Sequence, residues 1–228
     1  MQADSIYLVK KNRNTLYKEF RDFIRQEGYP CVGAQAALNS RSLRFGAFGS
    51  MDSMKTAAAL SGKLLLYLDL AKEKPGSFLS YVAIFPEDNY ATEPEFEKGL
   101  WALLNRLHGI DSKTHKWDKK VSNDPASSNF SFSLGGSAFF MVGMHPHSSR
   151  RARRFEYPAI AFNLHEQFED LRKSGRFHRM KRAIRNNERL FDGSVNPMLS
   201  DYGKGLEAPQ YSGRKVGAGW KCPFNPVD

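Results

Sequence analysis

The feature that most constrains this chain is a glycine pair set between two apolar, β-prone runs: Phe130 to Leu134, then Gly135-Gly136, then Ser137 to Gly143. Adjacent glycines supply the positive φ angles that a two-residue hairpin turn demands. An antiparallel pair of strands is therefore expected here, and the rest of the chain has to pack on it. The second run leads into Met144-His145-Pro146-His147, which places histidine where a core strand leaves the sheet.

Other elements follow from periodicity. Leu16, Tyr17, Phe20, Phe23 and Ile24 recur at helical spacing and stop at Gly28-Tyr29-Pro30, which predicts a helix over about residues 13 to 27. Alternation from Arg41 to Gly49 predicts a strand, after which Ser50 or Asp52 is expected to cap a helix carrying Met54, Ala58, Leu64, Leu65 and Leu68. Phe78 to Phe85 is almost wholly apolar and reads as a strand covered on both faces. Thr92 and Glu95 form a T-x-x-E capping box ahead of Phe96, Leu100, Leu103, Leu104 and Leu107. Residues 110 to 128 read as a polar loop and Tyr157 to Asn163 as a strand. Asn163 and Glu166 then look like a second capping box, opening a basic helical stretch that runs in two pieces to about Arg189. The last forty or so residues are rich in Gly, Pro and polar side chains and show no period. Helices mixed with an adjacent hairpin predict an α+β fold: one domain over 1–228, a mixed or antiparallel sheet with flanking helices, and a long irregular C-terminal tail.

At 228 residues, 41% hydrophobic and 13% aromatic, the chain has enough apolar surface for a core. Its longest apolar stretches, Leu64 to Leu68 and Ala138 to Met144, fall far short of the roughly 20 residues a bilayer span needs. Met1 to Lys11 places its lysines after the apolar patch, the reverse of a secretory signal, so a cytoplasmic protein with Cys31 and Cys222 as free thiols is expected. The net charge is +10. Much of the excess lies between Arg150 and Arg189, with roughly twelve basic against about five acidic residues, and implies an anionic partner.

The densest chemistry lies in Gly143 to Phe155, where His145 and His147 precede Arg150, Arg151, Arg153 and Arg154. Imidazole ligates metals and arginine forks hold carboxylates, a combination suited to haem, with its iron and two propionates. The plain alternative is a solvated basic face with a hydrogen-bonded turn histidine. A nucleic-acid surface using residues 150–189 is a further alternative, unaccompanied by any RNP, helix-turn-helix or zinc-finger pattern. His145 and His147 lack a nearby carboxylate for a non-haem iron site. Cys31 reads either as a buried thiol or as a thiolate ligand. His165 and His178 read by default as surface or supporting residues of the basic stretch. Phosphate-binding glycine loops are missing.

These segments together resemble the YqcI/YcgG family from about Phe20 to Phe224. The resemblance is carried by Pro30-Cys31-Val32-Gly33-Ala34, Val121-Ser122-Asn123-Asp124-Pro125, and Ala138 to Pro146 continuing through Arg150 and Ala152 to Phe155. Phe162 to Glu169, Asn196-Pro197-Met198-Leu199, and Glu207-Ala208 with Gln210 to Arg214 complete it. Its better understood members are haem-dependent N-hydroxylases of guanidine groups, some of them in natural-product biosynthesis. The resemblance implies haem b, dioxygen, an electron-donor protein or reductant, and arginine or a related guanidine compound as substrate. It favours His145 as the iron ligand, with His147 in reserve and Cys31 and His165 also in shared motifs. Arg150, Arg153 and Arg154 would neutralise the propionates. Asp124, Glu166 and Glu207 are the carboxylates that would pair with the guanidinium. A haem carrier or sensor without oxygenase activity is the competing reading.

Overall fold

The computed structural model describes residues 12–74, 76 and 78–226. The Met1 to Lys11 segment, read above for its lack of a secretory signal, lies outside them.

Helix α1 (Arg13–Ile24) begins where the Asn12 side chain accepts from the Thr15 amide at 2.9 Å, and it buries Leu16, Phe20, Phe23 and Ile24. Helix α2 (Val32–Asn39) was not anticipated: it is short, alanine-rich and capped by the Cys31 sulfur, which accepts from the Ala34 amide. Strand β1 (Leu43–Ala47) leads to α3 (Met54–Glu73), whose N-cap is Ser53 rather than Ser50 or Asp52; the Ser53 hydroxyl accepts from the Thr56 amide. Strand β2 (Ser80–Ile84) is buried at all five positions. Helix α4 (Glu93–Asp111) starts with the expected box: the Thr92 hydroxyl accepts from the Glu95 amide at 3.3 Å. The Glu95 carboxylate reaches back one residue further, to the Ala91 amide at 2.9 Å.

The hairpin forms as expected from β3 (Phe132–Leu134) and β4 (Ser137–Met144), with Gly135 and Gly136 at φ 62° and 72°. A single 3-10 turn at Arg151–Arg153 precedes β5 (Ala159–Leu164), α5 (His165–Lys173), α6 (Arg176–Asp192) and α7 (Ala208–Ser212). The second capping box does not form. Leu164 occupies the N-cap without a side-chain cap, because Asn163 is still in β5, where its amide donates to the Phe140 carbonyl at 3.3 Å.

The five strands make one sheet in the order β1-β2-β5-β4-β3. Only β1 and β2 pair in parallel, joined by the α3 crossover; the other pairs are antiparallel, so the fold is α+β with a mixed sheet. One face packs on α3, α4 and α7. It presents Tyr81, Phe132, Leu134, Phe139, Met141, Ile160 and Phe162, all buried. The other face is covered by α1, α2 and the Phe191 end of α6. It presents Val82 and Ile84 of β2, Val142 and Met144 of β4, and Ala159 and Ala161 of β5. Alternation along each strand explains the division, since adjacent residues point to opposite faces. In β5 the sequence Ala-Ile-Ala-Phe-Asn-Leu puts alanines on one side and large groups on the other.

The irregular tail divides as well. Residues around Asn196 to Tyr202 lie over the face with the small side chains. Beyond α7 the chain crosses to the opposite side, where Phe224 is buried beside Trp101, Phe130 and Phe132. The Glu97 carboxylate holds this part down, accepting from the Ser212 hydroxyl, the Arg214 guanidinium and the Trp220 indole N–H.

Candidate functional site

Small residues on the second face leave space. Between the sheet and α2, α5, α6 and the 196–210 segment lies a cavity of about 250 Å³. Ser80, Val82, Val142, Ala161 and Asn163 form its floor; Phe168, Phe177, Met180 and Ile184 supply much of its opposite wall. Seven charged side chains line it too: the cations Arg153, Arg172, Lys181 and Arg185, and the acids Glu188, Asp201 and Glu207.

His165 enters the cavity because β5 passes directly into α5. Gln167 fixes the start of that helix: its side-chain amide donates to the Leu79 carbonyl at 3.0 Å and accepts from the Leu79 amide at 2.6 Å, like an added strand residue. Phe168, one residue on, packs edge-on against both Phe78 and Phe140. His165 is 8% exposed, sits against Tyr202 with ring centroids 4.3 Å apart, and has a buried Nε2 with no hydrogen-bond partner. Burial lowers its pKa, so the neutral imidazole with an available lone pair is favoured.

Glu207 is 4% exposed. Its Oε1 accepts from the Tyr211 hydroxyl at 2.6 Å and the Ser131 hydroxyl at 2.8 Å. Burial outweighs those bonds and raises its pKa to about 7. Arg153 is buried and donates to the Tyr211 carbonyl at 3.2 Å, with its side chain where a Cβ on Gly213 would stand; burial lowers its pKa to about 10. At the tail side, Lys181 pairs with Asp201 and Arg185 approaches the same carboxylate at 4.0 Å. Cys31 lines the cavity beside Tyr29, with its thiol form favoured by burial.

The other residues singled out by sequence lie elsewhere. His145 is outside the cavity, on the opposite side of β4, where it stacks on Phe96 with centroids 4.4 Å apart. It is 1% exposed with neither ring nitrogen hydrogen-bonded, and burial lowers its pKa to about 4. The reason is parity: Met144 takes the cavity side of the strand, so its neighbour turns away. His147 is exposed. Arg150 is consumed in tying α6 to the 150s turn, pairing with Asp192 at 3.2 Å and donating to the Ser194 carbonyl at 2.6 Å. Arg154 donates to the Ser148 and Ser149 carbonyls. Of the three arginines assigned to propionates, then, only Arg153 lines the cavity. Asp124 caps its own turn by accepting from the Ala126 amide, and Glu166 is exposed near Lys120. Sequence reading missed Arg172, Lys181, Arg185, Glu188 and Asp201. The signal available for the α6 residues was the i, i+3/i+4 spacing of Phe177, Met180, Lys181, Ile184, Arg185 and Glu188, one helix face of mixed chemistry.

Haem suits this donor set. His165, with an unpartnered Nε2, lines an apolar chamber, and Arg185, whose buried Nε also lacks a partner, can meet a carboxylate; Lys181 and Arg172 line it as well but are paired with Asp201 and Glu169. Among the described residues no cluster of three or more His, Cys, Asp or Glu is placed to hold a bare metal ion.

Fold and site together define an α+β protein built on one mixed sheet, tightly filled on one face and enclosing a ligand-sized cavity on the other. The chain belongs to the YqcI/YcgG family, whose model matches residues 20–225. It is similar to the uncharacterized protein YqcI of Bacillus subtilis (strain 168), at 30% identity over 197 residues, covering 82% of this chain and 76% of that protein. No solved structure matches it significantly. No helix among the described residues is long and apolar enough to cross a membrane.

Proposed function

We propose that the chain is a haem-dependent monooxygenase that N-hydroxylates a guanidine group, with haem held in the cavity by His165. The observation that carries this is His165 on the wall of an apolar chamber bordered by arginine and lysine, with its Nε2 buried and without a hydrogen-bond partner. Leaving such a nitrogen unmet costs about 1–3 kcal/mol, which a metal bond removes. Bound haem supplies dioxygen activation: one oxygen atom enters an N–H bond of the substrate and the other leaves as water, with two electrons and two protons from outside.

The chain's own groups bind, orient and move protons. Arg185 would meet a propionate, and Arg172 and Lys181 would do so by exchanging Glu169 and Asp201 for it, while the α6 wall and the 196–210 segment exclude water. Glu207 is the carboxylate offered to the guanidinium, since Asp124 and Glu166 are outside the cavity. With a pKa near 7 it can also take or release a proton at neutral pH, as proton-transfer groups must.

The test is haem titration into the purified protein, followed by absorption spectra of oxidised, reduced and CO-bound forms for wild type, His165→Ala, Cys31→Ala and His145→Phe. Stoichiometric uptake with a ligand signature lost in His165→Ala alone is expected. Loss in His145→Phe alone, or no uptake, would sink the reading. Arginine and simpler guanidines with dioxygen and a reductant should then yield the N-hydroxy product. Haem uptake without turnover of any guanidine would leave a carrier or sensor.

A further inference from the structure

Helix α6 has two chemically opposite long faces. Phe177, Met180, Ile184 and Glu188 turn into the cavity. Arg176, Arg179, Arg182 and Arg189 are exposed, and with Asn186 they recur every three or four residues, which sets them in one row along the outside of the helix. His178 joins them on the surface. The two acids of the helix are withdrawn from this row: Glu188 is 9% exposed and, like Asp192, faces the buried Arg150. A helix carrying six arginines and lysines thus presents only positive charge outward.

That single sign is costly for the helix alone, because like charges three and four apart repel. Within the row, the Arg189 guanidinium bonds the neutral Asn186. Leu190, 85% exposed, stands at one end. A row of cations with an apolar contact beside it is the composition of a steering surface for an acidic protein, where rim charges set encounter rate and an apolar residue seats the contact. Nucleic acid is the less suited occupant. The large exposed apolar side chains of the described residues are Met54, Leu66, Leu190 and Leu206, and no aromatic is among them to stack a base.

We propose that the outer face of α6 is the docking surface for an acidic electron-donor protein of the iron–sulfur or flavin type. This rests on the oxygenase reading above, which requires external electrons. Its support is the position of the row: the same helix forms the cavity wall, so a protein seated on the arginines stands about one helix diameter, roughly 10–12 Å, from the cavity. The donor is oxidised as the cavity's occupant is reduced, and no bond to the donor forms or breaks.

The experiment compares wild type with Arg179→Gln/Arg182→Gln/Arg189→Gln, three side chains outside the cavity. The probe is an acidic plant-type [2Fe–2S] ferredoxin, with binding measured by calorimetry at low and high salt. Haem content and the rate of reduction by a small uncharged photoreductant are read on the same samples. Wild type should bind the ferredoxin with an affinity that falls with salt. The variant should bind about tenfold more weakly and accept electrons from ferredoxin correspondingly more slowly, with haem content and small-molecule reduction unchanged. Equal ferredoxin affinity in the two proteins would overturn the proposal. So would a single-stranded oligonucleotide that binds wild type more tightly than ferredoxin and is lost in the variant. Lack of haem uptake would strike the oxygenase reading separately, because the ferredoxin binding ratio is also measurable on haem-free protein.

Discussion

The two faces of the sheet are made by the same strands and end in opposite states. Toward α3, α4 and α7 the strands present Phe132, Phe139, Met141, Ile160 and Phe162, none of them exposed, and the aromatic rings of Trp101, Trp117, Phe130 and Phe224 extend that packing. Toward α6 they present Ser80, Val82, Val142, Ala161 and Asn163, and a cavity of about 250 Å³ remains. Stability and ligand capacity are thereby assigned to alternate residues of the same strands. Neighbouring positions should respond to mutation very differently.

The largest difference is expected at adjacent residues of β5 and β4. Phe162→Ala should cost about 3–5 kcal/mol, because the side chain is fully enclosed and its neighbours cannot collapse into the hole. Val142→Ala borders existing space and should cost about 1 kcal/mol or less. Urea unfolding of both variants measures this. Similar losses would mean that the cavity face is as tightly filled as the other and would remove the basis of the comparison.

Next come the buried titrating groups, which slope in opposite directions. His145 belongs to the packed face, and its pKa drops from 6.5 to about 4 on folding. The unfolded chain therefore binds more protons between those values, and stability falls as pH decreases through that window, by up to about 3 kcal/mol. Glu207 borders the cavity, and its pKa rises from 4.5 to about 7. Its native form holds the extra proton, so its contribution is full below pH 4.5 and is lost as pH rises toward 7, again by up to about 3 kcal/mol. From pH 4.5 to 6.5 the two oppose each other. His145→Phe should be progressively more stable relative to wild type as pH falls from 6.5 to 4. Glu207→Gln should gain relative to wild type as pH rises from 4.5 to 7. Differences that do not change with pH would show that neither group keeps the protonation state burial gives it.

A smaller effect is expected where the tail crosses to the packed face. Glu97→Gln keeps the shape but removes the charge that Arg214 and the Trp220 indole share, and should cost about 1–3 kcal/mol. Because this clasp is on the packed side, ligand binding in the cavity should not change. Hydrogen exchange of residues 214–226 should rise while that of β5 stays low. Loss of cavity binding in this variant would show that the two faces are coupled.

Much of this arrangement was legible in the sequence. The glycine pair set the hairpin, and the Ala-Ile-Ala-Phe pattern of β5 already carries the contrast between faces. The T-x-x-E box placed α4 because its signal is local. Helix α2 escaped because it is short and its cap is a cysteine. The tail escaped because it is held by single long-range contacts, such as Glu97 to Trp220 and Asn105 to Pro223, which leave no period. For the site, Arg153, Cys31, His165 and Glu207 were named and do meet in the cavity. His145, Arg150 and Arg154 stood out by local composition and by the family resemblance, neither of which reveals on which side of a strand a residue falls. His165 follows a strand directly, so its side is fixed by the parity of β5, and that parity was readable once the strand's end was known.

The smallest expected change in stability is also the sharpest test of that parity. Ala161 lies opposite Val82 and Val142 in the sheet, partly exposed toward the cavity. Adding three carbons at a filled core position ordinarily costs about 1–3 kcal/mol through strain. At Ala161 the added atoms enter open space, so Ala161→Leu should change stability by less than about 1 kcal/mol, with the gain from apolar burial offsetting lost side-chain freedom. On the proposed function the same atoms would occupy volume that haem needs, so haem uptake should fall at least tenfold while the far-ultraviolet spectrum and unfolding midpoint stay near those of wild type. A variant that unfolds readily would mean that the space around Ala161 closes in solution. A stable variant that still takes up haem would move the cofactor away from the β5 floor, leaving His165 without the role assigned to it.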